Sequence, residues 1–338
     1  MFGKGRGRKE KYTQGDCKKT MSTSRPAVTD VQPKPLSHTS LGYKIKRDRY
    51  LLLMVLPCVL YYLIFKYVPI FGIAIAFKDY NMYKGVFASD WVGLKYFRMF
   101  FDSPDFFPII RNTFLLGFYK LVFGFPAPII LALLINEVRN SFNKRFVQTV
   151  SYLPHFISNV VVAGIVVMFL SPSNGMVNRL LEMLGMDKIN FMVEASWFRT
   201  IYVSSDIWQH VGWGTIIYLA ALTAIDPQLY EASRIDGANR WQQTLHITLP
   251  GIAPAIVILL ILDIGKIIEI GFEKVYLLSS PVTYETADIL STYVYRTGLA
   301  NGNYSYATAI DLFTGIISFI FIIGANQISK KVSEHSIW

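Results

Sequence analysis

Residues 231–250, Glu-Ala-Ser-Arg-Ile-Asp-Gly-Ala-Asn-Arg-Trp-Gln-Gln-Thr-Leu-His-Ile-Thr-Leu-Pro, form a polar insert between two strongly apolar segments. Their pattern predicts a short helix, a reversal and a second short helix. Asp226-Pro227 opens the insert: an aspartate accepts from the free N–H groups of a helix start, and proline suits the first helical position. Gly237 can take the left-handed conformation that ends a helix, and Pro250 stands where the next apolar segment begins. A polar loop with that much punctuation reads as one shaped for contact.

Around this insert the 338-residue chain is 52% hydrophobic with a mean hydropathy of +0.36, too apolar for an ordinary soluble domain. Six apolar segments stand out, at 50–77, 113–136, 150–170, 201–225, 251–272 and 307–329. Each can span roughly 30 Å at 1.5 Å per residue, and a lipid core forces such segments into helices. The expected fold is all-α and integral to a membrane, with six transmembrane helices in residues 50–338 behind a basic tail at 1–49.

An even number of spans puts both termini on one side, and Lys and Arg choose that side. The tail carries thirteen of them, and Arg139, Lys144, Arg145, Arg234, Arg240, Lys330 and Lys331 raise the total on that side to twenty. The opposite loops carry ten. The excess places both ends, and the 226–250 loop with them, in the cytosol. No cleavable signal peptide is expected, because the first apolar run starts near Tyr50 and exceeds a signal core in length.

The net charge of +10 gathers in the tail and certain loops, so no nucleic-acid partner is expected. Residues 1–40 show no hydrophobic periodicity and read as a disordered, topogenic tail; a docking arm for nucleic acid or anionic lipid is the sharper alternative. Cys17 and Cys58 are placed too differently to pair, and the five histidines lack metal-ligand spacing, so no metal site is expected. The outer loops 78–112, 171–200 and 273–306 are long enough for short surface helices, and their aromatics read first as interfacial anchors.

The wording of the insert resembles the EAA loop of binding-protein-dependent ABC importer permeases. The match rests on Glu231, Ala232, Gly237, Ile247, Leu249 and Pro250, with Ser233 the one departure. The likeness extends over about 50–338: Pro57 and Pro69, Ala76 to Tyr80, Val92-Gly93-Leu94, Asn112-Thr113 and Pro126 to Asn136 are similar to carbohydrate-uptake permeases. Ile235-Asp236-Gly237-Ala238 and Trp241 resemble the branch handling oligosaccharides, with polysaccharide and alginate importers as neighbours. The resemblance implies a six-span, type I permease of a bacterial cell membrane. It also implies a second, homologous but non-identical permease, two ABC ATPase subunits, an extracytoplasmic solute-binding protein and an oligosaccharide cargo. Glu231, Ala232, Ser233, Asp236, Gly237, Ile247, Leu249 and Pro250 would then form the coupling site for the ATPase.

The chain itself has no phosphate-binding loop. Gly265-Lys266 lacks the earlier glycine, and Ile267 follows where Ser or Thr is needed. ATP and magnesium would sit on the partner ATPase, and no cofactor is expected here.

Polar side chains inside apolar segments are costly and mark function or helix–helix contact. Asp206, Gln209, His210 and Trp213 recur at i, i+3, i+4 and i+7, one helical face that joins an aromatic plate to hydrogen-bonding groups. That is how a protein grips a sugar. Lys266 and Glu269, three apart in the fifth segment, are candidates for the same substrate pathway and could neutralise each other, with Asp263 a turn earlier and Asp311 opening the sixth. His155 and Asn159 either join this pathway or belong to a kink at Pro154, and Lys120 either snorkels or pairs within the bundle. Two rivals from other classes remain: an ion-coupled secondary sugar carrier using the acidic residues as relays, and an integral membrane enzyme.

Overall fold

The computed structural model describes residues 47–332, so most of the expected tail lies outside the described residues. Arg49–Tyr62 (α1) runs on through a π-turn at Leu63–Tyr67 and a tight turn at Phe71–Phe77, an apolar run of 29 residues. No residue of its most apolar window is buried within the chain, as befits a helix whose surroundings are themselves apolar.

Lys78–Asp79 (β1) then pairs antiparallel with Asp90–Trp91 (β2), a small hairpin that departs from the all-α expectation. Side chains hold it. Trp91 stacks on Phe77 with ring centroids 5.7 Å apart, and Lys78 donates to the carbonyls of Val86 and Phe87. Tyr96, on the short helix Lys95–Phe101 (α2), donates to Asp79 at 2.7 Å. That bond holds the Asp79 carboxyl below its usual range, while burial, reinforced by Asp79, pushes the Tyr96 hydroxyl up to about 12.

Phe106–Tyr119 (α3) passes through a π-turn at Lys120–Gly124 into Pro126–Glu137 (α4), a continuous run of 32 residues. Within the expected third span, 150–170, the helix is broken. Ser141–Tyr152 (α5), extended by a tight turn at Leu153–Phe156, meets Asn159–Leu170 (α6) at a bend of 103°. Ile157 and Ser158 leave the helical region, and the Ser158 hydroxyl accepts from the Val161 N–H to start α6 afresh.

After Met176–Met183 (α7), the 26-residue helix Phe198–Thr223 (α8) forms the central pillar. Pro227–Ile235 (α9) and Arg240–Gln243 (α10) follow, and α10 continues through a π-turn at Thr244–Thr248 into Leu249–Gly265 (α11). Phe272–Leu278 (α12), Leu290–Val294 (α13) and Tyr304–Val332 (α14) complete the described chain. Among the described residues four helices are long and apolar enough to cross a membrane, and the bent α5–α6 pair makes a fifth if taken as one span. Helix α8 has the length, but Ser204, Ser205, Asp206, Gln209 and His210 dilute its apolar content.

Helix α8 packs along α4, where Ala132, Tyr218, Leu222 and Ile252 share one core. A second core joins Leu116, Tyr202, Val275 and Ile289, and a third gathers Phe100, Ile109, Tyr293 and Ile310. Close approach depends on Gly212: a Cβ there would collide with the Ser151 carbonyl of α5. Gly212→Ala is therefore expected to destabilise the bundle by about 1–3 kcal/mol, the usual cost of overpacking. A lowered midpoint in thermal unfolding of the purified protein checks this, and an unchanged midpoint would show that α5 and α8 separate freely.

Candidate functional site

One helical face of α8 meets α3, the π-turn after it and the end of α11 around a cavity of about 330 Å³. Asp206, His210 and Trp213 line it, opposite Lys120, Asp263, Lys266 and Glu269. Asp206 is the electrostatic centre. Its Oδ2 lies 3.2 Å from Lys120 Nζ, and its Oδ1 lies 3.4 Å from Lys274 Nζ and 3.3 Å from His210 Nδ1. Lys274, on α12, is only 3% exposed, whereas Lys120 is 47% exposed and faces the cavity. One carboxylate thus binds three elements at once.

Gln209 departs from the expected common face. It is buried, and its amide donates to the Ile157 carbonyl and to Asn159 Oδ1, at 3.0 and 3.2 Å. Asn159 in turn donates to Glu273 Oε2 at 2.7 Å. These two residues therefore staple the α5–α6 bend to α8 and α12 and line no part of the cavity. His155 lies flat on Trp213, centroids 4.5 Å apart and planes within 6°, with His210 at 5.4 Å. The plate expected from one tryptophan is a tryptophan–imidazole stack.

The expected neutralisation of Lys266 by Glu269 is corrected. Helix α11 ends at Gly265, and its last carbonyls bond forward by three residues, Lys266 N–H to Asp263 and Ile267 N–H to Ile264. Lys266 and Glu269 therefore sit beyond the helix, both exposed, with no ion pair between them among the described residues. Asp311 lies inside α14, past its first turn. Lys274 was missed by sequence reasoning, which counted it among outer-loop charges; nothing local marks it as a partner of a residue 68 positions earlier.

On the opposite side, α9 and α10 build the polar insert. Asp226 accepts from the Gln228 N–H, and Pro227 occupies the first turn of α9. Gly237 has φ +81°, a conformation costly for any residue with a Cβ, and turns the chain. Asn239 and Gln242 then cap α10 reciprocally. Glu231, Ala232, Asp236 and Gly237 are exposed, while the Ser233 hydroxyl is turned back to the Tyr230 carbonyl. Ile247 lies in the π-turn, and Leu249 and Pro250 open α11. Ile235 and Trp241 are 88% and 73% exposed, large apolar groups that the motif alone does not single out. A groove of about 960 Å³ separates this insert from the end of α4, bridged by Arg240 to Glu137 at 2.7 Å.

An apolar bundle with a charged cavity and a polar turn that exposes apolar side chains is the build of a membrane transport subunit. Residues 124–334 match the family described as binding-protein-dependent transport system inner membrane component, and the chain belongs to that family. It is 47% identical over 320 residues to the polygalacturonan/rhamnogalacturonan transport system permease protein YteP of Bacillus subtilis (strain 168), covering 95% of this chain and all of that one. It is also 47% identical over 294 residues to the protein LplB of the same organism, covering 87% and 92%. A bacterial alginate ABC transporter, solved in complex with an alginate pentasaccharide-bound periplasmic protein, superposes with a TM-score of 0.81 at 45% identity over 88% of this chain and 99% of that one. The fold is that of a type I ABC importer permease. The chain is a multi-pass membrane permease subunit, of a kind without its own ATPase site, and these relatives give no support to an ion-coupled carrier.

The two amines on Asp206 differ in burial, and that sets their worth. Lys274→Met leaves a buried carboxylate without its enclosed partner and is expected to cost about 3–5 kcal/mol. Lys120→Met, at a half-exposed pair, is expected to cost about 1 kcal/mol or less. Thermal unfolding of the two variants checks this; equal losses would mean that the two pairs contribute alike.

Proposed function

We propose that this chain is the membrane-spanning half of an ATP-driven importer for acidic oligosaccharides or polysaccharide fragments. Six spans carry it across a bacterial plasma membrane with both termini in the cytosol; α8 supplies the fourth, and the bent α5–α6 pair the third. A homologous, non-identical permease completes the pathway, two ABC ATPase subunits bind ATP and magnesium, and an extracytoplasmic solute-binding protein delivers the sugar. The observation that carries this reading is the cavity, whose lining joins Trp213, itself stacked on His155, to Lys120, Asp206 and His210. Ring stacking suits the C–H face of a sugar, and the charged groups suit its hydroxyls and carboxylates. Two relatives point the same way: one is named for polygalacturonan and rhamnogalacturonan, and a second solved structure is of an importer of the acidic polysaccharide alginate.

The polar insert would dock on the ATPase. Glu231 offers a carboxylate, Ala232 and Ser233 permit close approach, and Ile235 and Trp241 offer apolar anchors. Asp236 and Gly237 shape the turn, and Ile247, Leu249 and Pro250 join it to α11. Closure of the ATPase pair on ATP would move this insert and swing the cavity between its two openings, with hydrolysis resetting it.

Gly237→Pro is expected to leave insertion intact but abolish ATP-driven uptake, because proline can neither adopt φ +81° nor donate the N–H bond to Arg234. Normal ATPase association and uptake in that variant would defeat the docking role. Separately, Trp213→Ala is expected to remove a stacking contribution of about 0.5–1.5 kcal/mol, a two- to twelve-fold weaker apparent sugar affinity in stimulated ATP hydrolysis. An unchanged affinity would make the stack a purely structural contact.

A further inference from the structure

Asp206 has more nitrogen partners than one carboxylate needs. Its Oδ1 is already engaged by Lys274 and by His210 Nδ1, on the protein side of the carboxylate. Lys120 reaches the other oxygen, Oδ2, from the cavity side. Removing either lysine leaves Asp206 the other, but Lys120 is half-exposed on the cavity side whereas Lys274 is enclosed by protein. Lys120 is therefore the exchangeable partner, held on the π-turn Lys120–Gly124 where the α3–α4 run is locally loosened.

The remaining cavity charges do not form a cationic funnel. Asp206, Asp263 and Glu269 face Lys120, Lys266 and His210, so acids at least balance the lysines. A general field would not draw in an anion. Selection for an acidic sugar has to work locally, through an amine that can change partners.

We infer that Lys120 is a specificity-determining residue of the transport cycle: a uronate carboxylate entering the cavity displaces Asp206 from it and so releases the ion-pair tie between the π-turn Lys120–Gly124 and α8. The exchange swaps one carboxylate for another on the same ammonium and moves no proton. A neutral sugar of the same size has nothing to offer Lys120 and leaves the latch shut. Lys266, also on the cavity wall and without an ion pair among the described residues, is the second amine for a longer acidic chain. This inference rests on the proposed handling of acidic oligosaccharides.

The test uses the complete transporter in proteoliposomes with its ATPase and binding protein, and compares ATP hydrolysis stimulated by trigalacturonate and by its carboxyl-reduced counterpart. In the unaltered complex the acidic trimer is expected to stimulate more. Lys120→Met and Lys120→Gln are expected to lower that acid-to-neutral ratio by about fivefold or more, the low end of common ligand coupling, and to raise hydrolysis without sugar. Lys120→Arg, which keeps the charge, is expected to retain the preference. Persistence of the full ratio in both Lys120→Met and Lys120→Gln overturns the inference while leaving the substrate reading in place. Equal stimulation by both trimers in the unaltered complex overturns the acidic-substrate reading itself, and the latch with it.

Discussion

Taking a carboxylate into a bundle of apolar helices costs several kcal/mol after relaxation, unless cations and hydrogen-bond donors come with it. Asp206 meets that condition by drawing in Lys120 from the π-turn between α3 and α4, Lys274 from α12 and His210 from its own helix. Much of the interior geometry follows. Helix α12 must fold back against α8 to deliver Lys274, and the α3–α4 run must pass within reach of the same oxygen pair. The bundle is thereby tied at its most polar point, and the cavity opens where the tie is made.

The neighbouring polar contacts have a different character. Gln209, Asn159 and Glu273 form a chain of hydrogen bonds that joins α8, the start of α6 and the start of α12 without entering the cavity. Such a chain fixes relative position at a break where backbone bonds are interrupted, which is why the 103° bend between α5 and α6 is held in one shape. Gln209 thus shares an arc of α8 with Asp206, His210 and Trp213, yet it is spent on neighbouring helices while those three line the cavity.

How much of this was legible beforehand depended on whether the cause was local. Apolar runs marked the long helices, because length and hydropathy act within one segment, and Asp226, Gly237 and Asn239 marked the turns of the insert for the same reason. The face carrying Asp206, His210 and Trp213 followed from helical spacing. Spacing could not separate Gln209 from them, since a 3.6-residue period places all four within one arc and only the neighbouring helices decide which points into space. Lys274 was illegible because its partner is 68 residues away. The unwinding after Gly265 was hidden by the apolar isoleucines that continue past it, and the β1–β2 hairpin by strands of only two residues each.

The polar insert is tied to the rest of the molecule unequally. Helix α10 runs without interruption into α11, a single rod of 26 residues from Arg240 to Gly265, and Tyr230 hydrogen-bonds Thr248 on that rod. Toward α4, Leu249 and Ile252 at the foot of α11 join the core around Ala132, while the polar turn itself is linked by a half-exposed ion pair, Arg240 to Glu137, worth about 1 kcal/mol or less. A force applied at the insert would be passed along this continuous helix, while the ion-pair joint to Glu137 yields. Motion would arrive first at the far end of α11, beside Asp263 and Lys266, and the wall opposite would follow it. The strength of that joint also falls with ionic strength, because both of its charges are half-exposed to solvent.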